Sequence, residues 1–185
     1  MPGGDGTGPD TAGLPIRRVV EDDWILLRDV RLEMLADSPL AYLETLADAS
    51  ARDEGHWRFL ARRGSAGRDN IGLAVTEVFE PHRFLGYLAC FVDAPGQGHV
   101  VSVYVTPAYR GSGLAARMLD AAVDWARGEA GLSRLHLYVH EHNERAHAFY
   151  RRYGFRETGG SFPYDLDPTT VEIEMALLLD THGAG

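Results

Sequence analysis

The chain has 185 residues, 45% of them hydrophobic and 24% charged, with a formal net charge of −9 at pH 7. That length fits one globular domain that buries its core without covalent staples, and the single cysteine, Cys90, excludes an intramolecular disulfide or a four-cysteine metal site. The acidic balance disfavours a nucleic-acid-binding surface, which needs a basic face, and no apolar run reaches membrane-spanning length, so a soluble cytoplasmic protein is expected.

Residues 1–14, rich in Gly, Pro, Asp and Thr, read as a disordered tail without the apolar run or basic flank of a signal peptide. The ordered domain is expected over 15–180, followed by a short tail at 181–185. It opens with a strand at "IRRVV". A helix follows, N-capped by Asp22, with Trp24, Leu27, Val30 and Leu35 at roughly helical spacing. "SPLAY" interrupts it, and a second helical stretch runs from about Leu43 to Ala61. "GRDN" turns the chain into a strand at "IGLAVTEVF". "EPHR" reads as a hairpin turn and "FLGYLACFV" as the returning strand. "DAPGQG" is a second turn, and "HVVSVYV" completes the meander.

A glycine-bearing turn then leads into a helix whose Ala115, Met118, Leu119, Ala122, Val123 and Ala126 define a buried stripe, with Gly131 as its stop. "RLHLYVH" is a strand that a helical crossover brings parallel to its predecessor. "NERAHAFYRRYGF" is a helix with Ala146, Phe149, Tyr150 and Tyr153 on one face. "TTVEIEMALLL" alternates as a strand near the sheet edge. The sum is an α+β domain with a mixed sheet of about seven strands and about four helices.

The turn "YVTPAYRGSGLAARML" carries the chemistry. The first amides of a helix lack internal partners, and the helix dipole adds partial positive charge there. Gly111 and Gly113 either clear room for a pyrophosphate to approach those amides or simply shape a tight strand-to-helix connection. Arg110 would add a full charge. No lysine follows the glycines, so the nucleotide P-loop is absent, and Ala116 stands where a dinucleotide fingerprint needs its third glycine. His136, His140, His142 and His147 raise a zinc question, but without a nearby cysteine or an HExxH pattern no metal site is expected.

Arg110-Gly111-Ser112-Gly113-Leu114-Ala115 after "VYVTPAY" resembles the acyl-CoA-binding motif of the GNAT superfamily of N-acetyltransferases. "HNERAHAFYRRYGF" is similar to that family's second cofactor segment through Asn143, Ala146, Tyr150, Gly154 and Phe155. The likeness is strong from about Val100 to Phe155 and extends more loosely over residues 15–179. It implies a central sheet splayed at the site of acetyl-CoA, the co-substrate, with no metal. Backbone groups of Val103, Tyr104 and Val105 would pair with the pantetheine arm, residues Arg110 to Ala115 (Gly111, Ser112, Gly113 and Leu114 between them) would bind the pyrophosphate, and Asn143 would contact the cofactor besides capping its helix.

The resemblance further implies direct attack of a neutral amine on the thioester. Tyr150, otherwise one more aromatic on its helix stripe, becomes the acid that protonates the departing sulfur, since a phenol of pKa about 10 holds its proton at neutral pH. His99 stands where many relatives carry a glutamate, leaving His99 or a water relay as the base. The acceptor site would involve the loop from Ser38 to Leu43, the early helices and "GGSFPYDLDP" near Phe162 and Tyr164. Its occupant would be a small amine, an amine-bearing antibiotic or toxin, or a peptide N-terminus. The alternative is a non-catalytic acyl-CoA sensor of the same fold. A homodimer through the last strand is left open.

Overall fold

The computed structural model describes residues 10–65, 67–78 and 82–179. Seven strands form one sheet: β1 (Ile16–Arg18), β2 (Asn70–Val75), β3 (Gly86–Ala94), β4 (Gln97–Val105), β5 (Arg134–His140), β6 (Arg156–Tyr164) and β7 (Asp167–Leu178). Their spatial order is β1-β2-β3-β4-β5-β7-β6. Five helices join them: α1 (Trp24–Asp37), α2 (Leu46–Ser50), α3 (Glu54–Gly64), α4 (Leu114–Gly128) and α5 (Glu144–Tyr153). The expected α+β class with a mixed sheet of seven strands is the observed one. None of the described helices is long and apolar enough to cross a membrane.

Side chains alternate across the strands and sort the core into two layers. Leu73, Val75, Leu88, Cys90, Val100 and Leu135 point to one face, where α4 lays Met118, Leu119, Ala122 and Ala126 over them. Ala74, Tyr87 and Tyr104 point to the other, against Val30 and Met34 of α1 and Trp57 and Ala61 of α3. The predicted stripe on α4 is therefore its buried face.

Several local readings change. The expected long helix from Leu43 to Ala61 is broken at 51–53. Thr45 caps α2 by accepting from the Asp48 amide, and Asp53 caps α3 by accepting from the His56 amide. Two capping side chains so close together start two short helices, not one long one. Asp23, not Asp22, precedes α1. Its carboxylate accepts from the Val20 amide at 2.8 Å and is clamped by Arg17 at 2.6 and 2.7 Å.

The glycine-containing "RETGGSFPY" forms β6, which sequence patterning left as loop, because β7 supplies it with a continuous antiparallel partner. Consequently β7 lies between β5 and β6 and is no edge strand. Both of its sides are paired, so edge-to-edge dimerisation through the last strand is closed. Residues 1–9 and 180–185, and the Glu80-Pro81 part of the expected hairpin turn, lie outside the described residues. Residues 10–14, expected within the disordered tail, are packed: Arg117 donates to the carbonyls of Thr11 and Leu14, and the Thr11 hydroxyl donates to Ser112 O at 3.2 Å.

The pairing of β4 with β5 positions the site. These parallel strands are joined only at Gln97–Arg134, Gly98–Leu135 and His99–His136. Beyond His99 they part, while β4 continues against β3 and β5 against β7. A bulge in β4 assists. The register with β3 shifts between Val101 and Tyr104, and Ser102 adopts φ 58°, a left-handed conformation uncommon for a residue with a side chain. Gly98 lies in the short paired stretch, where an added Cβ would meet Leu132 Cδ1 at 2.7 Å and Leu135 Cδ2 at 2.9 Å. Both leucines are fully buried, so Gly98→Val should destabilise the fold by about 1–3 kcal/mol, measured by thermal or urea unfolding.

Candidate active site

Two cavities occupy the wedge between β4 and β5. The first, of about 470 Å³, runs from the start of α4 along β4 to α5 and is lined by Val103, Tyr104, Val105, Gly111, Gly113, Leu114, Ala115 and Asn143 among others. The second, of about 330 Å³, continues toward the α1 side past Tyr42, Leu43, His99, Tyr138, His140 and Glu172. Tyr150, Asn143, Ala146 and Val103 line both. The sequence-predicted residues therefore converge on one wedge, with Tyr150 at the junction.

The glycine turn is built from two left-handed residues, Gly111 at φ 79° and Gly113 at φ 84°. An L side chain is strained at both, and an added Cβ would meet no protein atom within 4 Å. The backbone therefore requires glycine at both positions, and the space beside them is open. Gly113 precedes α4, and no side chain caps that helix. Its first amides stay available for an anion beside a cavity that also has Arg145 and Arg152 in its lining. Ser112 does not line this cavity; its hydroxyl donates to Tyr109 O at 2.6 Å and stiffens the turn.

Arg110 lines the first cavity, and the protein also engages its side chain. Its guanidinium pairs with Asp37 at the end of α1, donates from Nε to Val105 O at 3.1 Å and lies over the Tyr104 ring. The Arg110 hydrogen bond holds the Asp37 carboxyl below the usual carboxylate range. The arginine thus ties the turn to α1, and its charge is already matched. Among the described residues Arg145 and Arg152, which sequence reading passed over, have no hydrogen bond or ion pair. Being two of many arginines in an acidic chain, they carried no distinguishing signal.

Asn143 caps α5, its Oδ1 accepting from the Ala146 amide at 3.1 Å. Tyr150 is buried, touching Phe149 and Phe155. No described residue hydrogen-bonds its hydroxyl. Burial pushes its pKa up, so the phenol remains a neutral proton donor throughout the neutral range. The Tyr42 hydroxyl donates to Val103 O at 3.2 Å, and the Tyr164 hydroxyl donates to Tyr42 O at 3.0 Å, which pins the loop after α1 over the wedge. Phe162 meets Tyr138 edge-on at 5.3 Å.

His99 packs among the rings of Phe91, His136 and Tyr138 at 5.1, 4.6 and 5.1 Å. Burial first, and the neighbouring His136 second, lower its pKa to about 4. Its imidazole is neutral at pH 7. Two further acceptor-cavity residues emerge only from the structure. Arg31 is matched by Glu44 at 3.0 Å and reaches Ser102 Oγ at 3.3 Å. Glu172 is half-buried, and among the described residues has no ion-pair or hydrogen-bond partner; burial raises its pKa. A signal for it existed, since Glu172 and Glu174 stand two apart on one face of the "VEIEMALL" part of β7, which is otherwise apolar.

The histidine run divides. His140 Nε2 contacts Thr170 Oγ1 at 3.1 Å, His147 is buried on α5, and His136 turns toward Asp93. Cys90 is buried in the sheet, and desolvation pushes its thiol up to about 12. It offers no thiolate for a covalent step near neutral pH. A thiol reagent such as Ellman's disulfide should therefore leave the native protein unmodified at pH 8 and titrate one thiol after denaturation, followed by absorbance.

Residues 32–155 match the family model described as Acetyltransferase (GNAT) family, and the chain belongs to that family. It is 30% identical to the mycothiol acetyltransferase of Salinispora tropica over 85% of this chain and 49% of that protein. A shorter match, 37% identical over 44% of this chain and 53% of that protein, is to an IAA acetyltransferase of Azospirillum brasilense. The chain spans about half the length of the curated relatives it matches. In fold it is similar to yncA of Salmonella typhimurium, solved with its cofactor acetyl-CoA, with TM-score 0.73, 19% identity, and coverage of 94% of this chain and 98% of that one. It is also similar to the spermidine N-acetyltransferase of Vibrio cholerae in complex with CoA and spermine, with TM-score 0.69, 14% identity, and coverage of 91% and 96%.

Proposed function

We propose that the chain transfers an acetyl group from acetyl-CoA to the amine of a small cationic acceptor, by direct attack and without a covalent enzyme intermediate. The observation that carries this reading is the position of Tyr150, where a cradle of helix amides on one side meets an acceptor-sized cavity on the other. Acetyl-CoA supplies the activated thioester; the chain holds it. The amides of 111–115 take the diphosphate. Arg145 and Arg152 offer unmatched charge to the same cavity. Backbone groups of Val103, Tyr104 and Val105, on the part of β4 that β5 leaves unpaired, suit the amides of the pantetheine arm.

Glu172 and the aromatic walls Tyr42 and Tyr138 favour a protonated amine in the second cavity. An alkylamine with pKa near 10 must shed a proton before attack, and neutral His99 on the cavity wall is proposed to anchor the water relay that carries it away, since an imidazole with pKa about 4 is too weak a base to take it outright. As the new C–N bond forms and the C–S bond breaks, Tyr150 gives its proton to the departing thiolate.

The test is a panel of primary amines, including spermidine, with free CoA release as the readout. Tyr150→Phe should lower kcat by about 100-fold or more while leaving acetyl-CoA affinity nearly unchanged. Tight acetyl-CoA binding with no turnover on any amine would favour the acyl-CoA sensor instead. Gly113→Val should weaken acetyl-CoA binding by about tenfold or more, with unchanged circular dichroism, because it fills the cradle and cannot hold the left-handed backbone. Equal affinity by calorimetry would remove the diphosphate from this turn.

A further inference from the structure

We propose that Asp93, His99 and His136 form a binding site for a divalent transition-metal ion of the zinc class. Three adjacent strands bring them together. His99 of β4 and His136 of β5 are register partners, and Phe91, two residues before Asp93 on β3, is the partner of His99. The register between β3 and β4 shifts between Val92 and Ala94, so Asp93 is the extra residue of a bulge, and its carboxylate lies beside the two imidazoles. One ligand atom of each lies within 4.8 Å of the other two. Asp93 Oδ2 is 2.6 Å from His136 Nε2, and the two imidazoles stack at 4.6 Å with planes 30° apart.

Two imidazoles and one carboxylate suit zinc, cobalt or nickel, whereas calcium and magnesium prefer all-oxygen shells. A second observation points the same way. His136 is 2% exposed, yet its Nδ1 has no hydrogen bond and lies 3.4 Å from Glu174 Oε1. Coordination through Nε2 fixes the tautomer with the proton on Nδ1, on the side of that carboxylate, and a small turn of the ring would bring the two into a hydrogen bond. A carboxylate behind the ring is how metal-bound imidazoles are oriented.

Glu174 Oε1 is itself held by Arg134 at 2.9 Å, and Arg134 reaches Gln97 at 2.7 Å, so the backing is rigid. The ion takes the place of the proton between Asp93 and His136. The pair must open slightly from 2.6 Å, since each ligand sits about 2.0–2.2 Å from zinc. The Asp93 side chain, 26% exposed, has the freedom to do so. Because His99 also walls the acceptor cavity, a bound ion would occupy its lone pair and block transfer. That consequence, unlike the site, rests on the acetyl-transfer reading.

The site is tested with the metal alone. The full chain, stripped with a chelator and titrated with Co²⁺, should develop the visible absorption of a nitrogen- and oxygen-ligated ion, saturating at one equivalent and reversed by Zn²⁺. Asp93→Asn and His99→Ala should each weaken Co²⁺ binding by about tenfold or more, and Glu174→Gln by roughly tenfold, with circular dichroism unchanged. His136→Ala empties a buried position, so the more accessible Asp93 and His99 variants carry the test. A wild-type protein without the Co²⁺ band, or equal binding by the Asp93 and His99 variants, overturns the proposal. The measurement uses neither acetyl-CoA nor an amine, so it stands or falls apart from the proposed activity.

Discussion

The functional architecture depends on a ladder that stops early. Three residue pairs join β4 to β5, after which the strands diverge and leave backbone groups and side chains of both facing a gap. A backbone amide or carbonyl without a strand partner must find another, in a side chain, as Val103 O does in Tyr42 and Val105 O in Arg110, in water or in a ligand. The left-handed Ser102 and the β4 bulge keep the gap open, and Arg31, which reaches Ser102 from α1, braces the kink. Tyr150, Asn143, Val103 and His99 all line this gap.

Electrostatic pairing decides which charges around the wedge remain usable. Arg110 is matched by Asp37 and Arg31 by Glu44, so these arginines act as ties between α1, the loop after it and β4. Among the described residues Arg145 and Arg152 in the first cavity and Glu172 in the second have no hydrogen bond or ion pair, although Arg145 acts on Asp37 through space. The wedge is therefore polarised, with cation-rich walls at one mouth and an unpartnered carboxylate at the other.

Legibility in the sequence followed the range of the interactions. The α4 stripe, the β2–β4 meander and the turn at 110–115 were readable because each is a local pattern: a period, an alternation, or glycines where a helix begins. Asn143 was readable as a cap for the same reason. The long helix expected over Leu43 to Ala61 went astray because hydrophobic spacing outweighed the capping signals at Thr45 and Asp53. β6 was missed because its glycines lower strand propensity, and only pairing with β7 makes the segment extended. The pairing of Arg110 with Asp37 was illegible for a similar reason, since that partner lies 73 residues away.

The sequence by itself determined the α+β class, the glycine turn before α4 and the placement of Tyr150 on the helix that faces it, all of which are written in spacings of a few residues. Only the tertiary structure decided that β7 is interior, that Arg110 is a tie, that Glu172 faces the acceptor cavity without a partner, and that Asp93, His99 and His136 meet. The reason is physical: periodicity selects which face a residue occupies, but strand order and register select what stands opposite it. Those are set by the packing of the whole sheet, not by any single segment.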